Sequence, residues 1–472
     1  GVVMASWNRR KSLDAAAHLA TAQRLKPTLG WPHLVALGVG AIVGTGIYTL
    51  TGIGAGLAGP AVIVSFALAG VVCACAALAY AEMATMMPVA GSAYTYSYAV
   101  IGELIAWIVG WSLILEYTVV CAAVAVGWSA YAAGVIHSLH LGIPDALLAG
   151  PQAGGVLNLP AVLISLLVAG LLALGTRESA TVNFLLVVIK LVALGAFVLL
   201  ALPAFDNAHF SPFAPNGIYR LTPDGVKLGI VPAASLIFFA FYGFDTISTA
   251  AEETKNPGRD LSIGIVGSMV LCTLIYMIVA AAAIGAAPVG SLAKSAEPLA
   301  LILRELQHPV AANLIGVAAI VALPSVIMAF LYGQSRIFFV MARDGLLPQR
   351  LARVSARTGT PILMTVLTGI WAAIISGVAP LKAIAELANA GTLCAFVAVA
   401  VCMMLLRMRE PERPRVFRTP LWWLVGSLAV AGCLYLFANL PLKTQLFFLA
   451  WNGVGLIVYF AYSMRASRLA RT

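Results

Sequence analysis

Three ionisable residues lie inside long apolar runs of the sequence, namely Glu116, Lys190 and Asp245. A charge at the centre of a bilayer costs at least ~2.5–3.5 kcal/mol, so such residues usually have a function. A lysine shielded from water holds its proton less tightly, and Lys190 could gain and lose a proton near neutral pH. Alternatively, Lys190 is a permanent structural charge paired with a carboxylate or with carbonyl groups. Glu116 and Asp245 either face a cavity, where they favour a cationic side chain, or neutralise Lys190 or bond a neighbouring helix.

Glycines interrupt two of the apolar runs at similar depth. Residues 38–47 read GVGAIVGTGI, and residues 241–245 read FYGFD. Paired glycine-interrupted helices at matching positions of two halves are typical of the substrate site of secondary transporters. Unwinding frees N–H and C=O groups for a carboxylate and an ammonium, and the N-terminus of a half-helix attracts an anion. The alternative for Gly40 and Gly44 is close helix packing through a G-x-x-x-G pair.

The sequence carries no pattern that favours catalysis. It has no H-E-x-x-H motif and no P-loop, and the G-x-G-x-x-G string at 54–59 follows no strand. The seven cysteines fall in apolar runs without the spacing of metal ligands. We therefore expect no enzyme activity, no cofactor and no metal.

The composition is that of a membrane protein. Of the 472 residues, 61% are hydrophobic and only 10% are charged, against about 45–50% and 25% in soluble proteins. The mean hydropathy is +0.98. These values exclude an ordinary cytosolic enzyme, a disordered protein and a secreted disulfide scaffold, and they predict an all-α polytopic membrane protein. The net charge of +10 does not indicate nucleic-acid binding, because the basic residues lie between apolar runs.

Twelve apolar runs are long enough to cross a bilayer, which needs about 20 residues. They span approximately 34–57, 61–83, 99–133, 159–176, 180–202, 230–251, 262–285, 310–338, 361–379, 383–406, 421–440 and 445–464. The interruptions then fall in spans one and six, which suits a five-plus-five inverted repeat with two extra helices. We expect an N-terminal segment (1–33), a transporter domain (34–464, with repeats 34–202 and 230–406 and extra helices 421–464) and a tail (465–472).

The distribution of Lys and Arg predicts the orientation. With the N-terminus inside, the inner segments hold 21 of the 28 basic residues, the outer segments hold 6, and Lys190 is the remaining one. Both termini are therefore expected in the cytoplasm, with the protein in a cell inner membrane. Four acidic residues fall near inner span ends, where a solvated interface is expected: Glu82, Glu103, Glu252 and Glu253.

Several motifs, in order, resemble the amino acid–polyamine–organocation (APC) superfamily, and most closely its cationic amino acid transporter branch. They are GTGI at 44–47, GSAYTY at 91–96, WSLILEY at 111–117, GFD at 243–245 with AEE at 251–253 and NP at 256–257, YGQSR at 332–336 with RDGLLP at 343–348, and AELANAGTL at 385–393. The similarity runs from about 29 to 418, which is most of the chain.

The resemblance implies a LeuT-type fold, with helices one and six unwound at the midplane, and an amino acid substrate. It implies contacts to the α-carboxylate and α-amino groups from Val43, Gly44, Thr45, Gly46, Phe239, Ala240, Phe241 and Gly243. It places proton coupling at Lys190 and the side-chain end of the pocket at Glu116 and Asp245. These carboxylates make arginine, lysine or ornithine plausible substrates, whereas similar bacterial proteins also take small neutral amino acids such as alanine.

The sequence thus predicts a secondary active amino acid transporter, proton-coupled, working by alternating access. An exchanger of the same fold is the alternative, and a membrane-embedded enzyme is a remote one. The expected partners are an amino acid, a proton and membrane lipid, with no nucleic acid; a small membrane subunit is left open.

Overall fold

A computed structural model describes residues 6–13, 25–44, 46–241, 243–295 and 297–471. The described residues of the first part of the chain form seven α-helices: α1 (Trp31–Ile42), α2 (Thr51–Ala58), α3 (Val62–Met86), α4 (Ala93–Val100), α5 (Glu103–Ser138), α6 (Leu159–Leu174) and α7 (Thr176–Ala201). A π-helical segment, Gly46–Leu50, leads directly into α2. The predicted contact residue Thr45 lies outside the described residues.

A two-stranded antiparallel hairpin, β1 (Arg220–Leu221) and β2 (Lys227–Leu228), precedes the second set of helices. These helices are α8 (Ile230–Phe241), α9 (Asp245–Thr249), α10 (Pro257–Ala286), α11 (Val289–Ala293), α12 (Pro298–Glu305), α13 (Pro309–Ala322), α14 (Pro324–Arg343), α15 (Ile362–Val378), α16 (Leu381–Arg409), α17 (Trp422–Ala438), α18 (Leu442–Val458) and α19 (Met464–Ala466). Proline in the first turn starts α10, α12, α13 and α14, where its missing N–H has no partner to lose.

Within the described ranges, eight helical stretches are long and apolar enough to cross a bilayer, and three shorter helices are also apolar. Large apolar side chains cover the outside of the molecule, and Leu167, Leu199 and Ile457 are 70%, 73% and 70% exposed. Apolar atoms can face outward in this way where the surroundings are hydrocarbon rather than water. The composition therefore predicted the class of the protein correctly.

The bounds of several predicted spans differ from the helices observed, and two of these differences have a clear physical reason. The third span was expected from 99, but the helix begins at Glu103, because the chain bends at Gly102 with φ of 150°. That conformation favours glycine, and a Cβ there would also collide with Asn8. The eighth span was expected to end at 338, but α14 continues to Arg343. The helix continues because Arg336 and Arg343 are buried in ion pairs and need no contact with water.

Candidate functional site

The two glycine-containing runs break in the structure and lie against each other. Helix α1 ends at Ile42 before the π-helical segment starts at Gly46, and α8 ends at Phe241 before α9 starts. Gly243 has φ of 135°, and a Cβ on it would lie about 3 Å from atoms of Ala41. A Cβ on Gly46 would likewise overlap Ala240. Glycine is therefore required at both breaks for conformation or for close approach.

The break in α1 leaves carbonyl groups that would otherwise be bonded within a helix. The hydroxyl of Tyr276, on α10, donates to the carbonyl oxygen of Ile42. The ammonium of Lys190, on α7, donates to the carbonyl oxygens of Gly40 (2.8 Å) and Val43. Side chains from two other helices thus stabilise the unwound backbone.

Lys190 has a third partner, because its Nζ donates to Oγ of Ser325 on α14 at 2.6 Å. An ammonium has three N–H groups, and each one has an acceptor here. The side chain is completely buried. Its three partners in the described part of the chain are neutral oxygens, and no carboxylate forms a salt bridge with it there. Lys190 therefore ties α7 and α14 to the broken helix α1.

A small central cavity, with room for about one water molecule, lies beside the break in α1. Its walls come from both broken helices and from two unbroken ones. The lining residues are Ala41, Ile42, Gly44, Gly46, Val120, Phe239, Val326 and Phe330. Three of the predicted contact residues, Gly44, Gly46 and Phe239, are therefore brought together around one space. Apart from backbone groups, the part of the lining that the described residues contribute is apolar.

Glu116 and Asp245 are completely buried but are not among the residues that line the central cavity. Oδ2 of Asp245 accepts from the hydroxyl of Tyr117 at 2.5 Å, whereas its Oδ1 has no hydrogen-bond partner among the described residues. Neither carboxylate oxygen of Glu116 has such a partner there. Glu116 packs against Gly391 of α16, and Val120, one helical turn further along α5, reaches the cavity.

The other predicted contacts serve the surroundings of the cavity. Phe241 packs edge-on against Phe66 and Tyr276, with ring centroids 5.8 and 5.2 Å apart. Ala240 packs against Gly46, and Val43 is held through its carbonyl by Lys190.

Three of the four acidic residues expected at a solvated interface, Glu82, Glu103 and Glu253, are instead completely buried in ion pairs. Oε1 of Glu253 accepts from Nε of Arg336 (2.9 Å) and from the hydroxyl of Tyr332 (2.6 Å), and all three side chains are buried. Glu82 accepts from Arg407 at 2.7 and 3.0 Å. The expectation was wrong because the arginine partners are supplied by distant parts of the chain.

Glu252 and Glu103 are paired as well. Arg343 makes two hydrogen bonds to the Glu252 carboxylate, at 2.8 and 3.0 Å. The completely buried Glu103 accepts from Arg9 at 2.8 Å and from the hydroxyl of Tyr98 at 2.6 Å.

Sequence reasoning missed the apolar lining of the cavity. Val326 and Phe330 are four residues apart on α14 and face the cavity together. Their spacing is that of any buried helix face, so it gives no separate signal. Ser325 and Tyr276 were also missed, since their roles depend on carbonyl groups of another helix.

Comparisons with known proteins identify the family of the chain. A model of the amino acid permease family matches residues 29–462. The chain is 41% identical over 466 residues to the branched-chain amino acid permease BcaP of Bacillus subtilis, covering 98% of each protein. It is 38% identical to the methylthioribose transporter of Bacillus subtilis, over 99% of this chain and 100% of that one. It is 37% identical to the vacuolar cationic amino acid transporter 2 of Arabidopsis thaliana, over 86% and 63% respectively.

Proposed function

Because the chain belongs to the amino acid permease family of the APC superfamily, we propose that it is a proton-coupled symporter of L-amino acids. The family and the relatives above are transporters, so the chain is a membrane transporter and not an enzyme. The observation that carries the proposal is the meeting of two broken helices beside a buried lysine. Gly46 packs against Ala240, Gly243 packs against Ala41, and Lys190 binds carbonyl groups at the first break.

The proposed architecture is the LeuT type, with twelve spans and both termini in the cytoplasm. The stretch Trp31–Met86 supports this count, because its 56 residues would extend ~84 Å as one straight helix. A bilayer core is only about 30 Å thick, and the chain turns at Gly59, where φ is 68°. Two spans in this stretch, the seven other long stretches and the three shorter apolar helices would give twelve.

The proposed site binds the main chain of the amino acid at the two breaks. The helical segment from Gly46 to Ala58 presents its N-terminus to the break, where its potential favours a carboxylate. Carbonyl groups at the end of α8 would accept from the α-ammonium. The proposed contacts are Val43, Gly44, Thr45, Gly46, Phe239, Ala240, Phe241 and Gly243.

The lining of the cavity favours an uncharged aliphatic side chain. The observed cavity has room for about one water molecule, so the substrate would enter in a conformation in which this space is wider. Val120, Val326, Phe239 and Phe330 would then surround the side chain with apolar groups, and a cation placed there would lose its hydration without compensation. The relative with 41% identity is named for branched-chain amino acids.

A second candidate substrate class is the cationic amino acids. The buried carboxylate oxygens of Glu116 and Oδ1 of Asp245 lack partners among the described residues and could accept from a cationic side chain. A relative with 37% identity is named for such substrates.

Proton coupling would act through the hydrogen bonds of Lys190. A bond from a charged donor contributes about 1.5–3 kcal/mol, and a bond from a neutral donor about 0.5–1.5 kcal/mol. Loss of the proton would thus weaken the bonds to Gly40 and Val43 by ~2 kcal/mol in total. That change corresponds to a ~30-fold shift between two conformations of the α1 break. Protonation would hold the break closed, and deprotonation would release it.

Uptake into proteoliposomes tests the proposal. Labelled L-leucine, L-arginine, L-alanine and methylthioribose are each supplied with and without an inward proton gradient, in the absence of sodium. We expect accumulation of L-leucine that depends on the gradient and greatly exceeds that of methylthioribose. Accumulation of L-arginine instead would favour the cationic class.

Two controls separate the alternatives. Lys190→Ala should abolish gradient-driven accumulation, whereas Lys443→Ala, which removes an exposed lysine, should leave it intact. Transport that occurs only when the liposomes are preloaded with amino acid would contradict symport and establish an exchanger. No transport of any amino acid would contradict the proposed function as a whole.

A further inference from the structure

An outer cavity of about 410 Å³ lies at the beginning of α8, beyond the central cavity. It is bounded by α8, by α16, by the link between α17 and α18, and by strand β2. Its polar lining groups are Lys227, Ser235, Glu386, Asn389 and Asn439. The volume falls within the ~300–1,000 Å³ typical of small-molecule sites.

Asn389 is a buried polar residue of this lining that lacks a full set of partners among the described residues. The side chain is completely buried, and its Nδ2 donates to the carbonyl oxygen of Ser235 at 3.1 Å. Its Oδ1 has no hydrogen-bond partner among the described residues. Leaving a buried acceptor unsatisfied costs free energy, so an N–H donor supplied by a ligand would stabilise the site.

Opposite charges flank the same cavity. Nζ of Lys227 donates to the carbonyl oxygens of Ala438 and Leu440 over 3.4 and 3.2 Å. Both bonds are long, and an ammonium has a third N–H to offer. Glu386, which accepts from Thr444 at 3.2 Å, contributes a carboxylate. A small molecule that carries both an anion and an ammonium matches this lining.

The outer cavity is also close to the central one. Ser235 precedes Phe239 by four residues on α8, which is one helical turn or ~6 Å. Phe239 lines the central cavity, and Asn389 lies two residues before Gly391, which packs against Glu116. A ligand in the outer cavity would therefore be about one helical turn away from the proposed transport site.

We propose that the outer cavity is a separate binding site for the amino acid zwitterion, occupied before the substrate reaches the central cavity. Oδ1 of Asn389 accepts from the α-ammonium, and the ammonium of Lys227 faces the α-carboxylate. Glu386 adds to the attraction for the ammonium. This inference rests on the proposed transport of amino acids and assigns a second site to the same substrate.

A cysteine placed in the outer cavity tests this assignment. Asn439→Cys in the purified full chain is labelled with a bulky maleimide, and the unsubstituted chain, six of whose seven cysteines are buried, gives the background. Gly46→Val, whose side chain would overlap Ala240, removes binding at the central cavity. If that variant does not fold, Val120→Leu, which adds one methylene group, takes up the space of the same cavity. L-Leucine and L-arginine are the probes, and we expect at least one of them to slow labelling in the blocked background.

A second substitution identifies the site. Asn389→Ala in the same background should raise the probe concentration for half-protection by about 10–100-fold, the loss expected for one hydrogen bond to a charged group. Asn452→Ala is the matched control, since this amide also donates to a carbonyl at 3.1 Å but does not line the cavity. Its half-protection concentration should not change.

Two results would overturn the proposal. One is labelling of the Asn439→Cys thiol that neither amino acid slows in the blocked background, and the other is equal protection with and without Asn389→Ala. Uptake by the unsubstituted chain is measured in parallel. Normal uptake together with unprotected labelling contradicts only the outer site, whereas absent uptake contradicts the proposed function.

Discussion

Replacing Arg336 by methionine should destabilise the protein strongly, because the buried carboxylate of Glu253 then loses the positive charge beside it. Oε1 of Glu253 accepts from Nε of Arg336 at 2.9 Å and from Tyr332 at 2.6 Å, and the side chains of the ion pair have no exposed surface. In Arg336→Met, the carboxylate keeps the hydroxyl of Tyr332 among its hydrogen-bond donors and loses the positive charge of Arg336. The backbone carbonyl of the same glutamate accepts from Thr28 and Leu29, so the damage lies where the segment preceding α1 meets the segment following α9.

The expected size of this effect follows from burial. Removing one partner of a buried ion pair costs about 3–5 kcal/mol, whereas replacing both partners by apolar side chains is often neutral. Glu253→Leu combined with Arg336→Met should therefore recover most of the loss. The control is Arg304→Met, whose pair with Glu297 has a similar distance of 2.8 Å but is 51% and 35% exposed. An exposed pair contributes about 0–1 kcal/mol.

The stability of all four proteins is measured by unfolding them in mixed micelles titrated with sodium dodecyl sulfate. The order of stability should be the unsubstituted chain, then Arg304→Met close to it, then the double variant, with Arg336→Met lowest. The reasoning is refuted if Arg336→Met unfolds at the same point as Arg304→Met. It is equally refuted if the double variant is no more stable than Arg336→Met.

Three further changes address the central region. Lys190→Met should leave exchange of substrate between preloaded liposomes measurable but remove its dependence on a proton gradient; an unchanged dependence would contradict the role of Lys190. Gly46→Val should reduce uptake at least ~10-fold by overlap with Ala240, while Gly453→Val, at a glycine with open space around it, should retain uptake. Glu116→Gln should change the free energy of unfolding by less than ~1 kcal/mol, because neither carboxylate oxygen has a hydrogen-bond partner to lose among the described residues. A loss of several kcal/mol in the detergent titration would contradict this prediction.

The sequence was informative where residue type is restricted by the backbone. Gly46 and Gly243 predicted the two breaks, because no other residue adopts the conformation or allows the close approach required there. Lys190 could be selected because a charge in an apolar run needs compensation. Its compensation by carbonyl groups was one of two alternatives, and the distances to Gly40 and Ser325 decide in favour of neutral oxygens.

Long-range partners account for what could not be predicted. Glu82 is paired with Arg407, 325 residues later, and Glu253 with Arg336, 83 residues later. From its position near a span end alone, each of these glutamates is predicted to be solvated. Only the position of its arginine partner in the fold corrects that prediction. Val120 illustrates a second difficulty, because an apolar residue that lines a cavity has the same helical spacing as one that fills the core.

The central claim is that the proton and the amino acid move together through Lys190. Liposomes that enclose a pH-sensitive dye, with no gradient imposed, measure this directly when L-leucine is added outside. The account predicts that substrate entry acidifies the lumen of liposomes with the unsubstituted chain and leaves the pH constant with Lys190→Ala. Substrate entry without acidification, or equal acidification in both proteins, would contradict it.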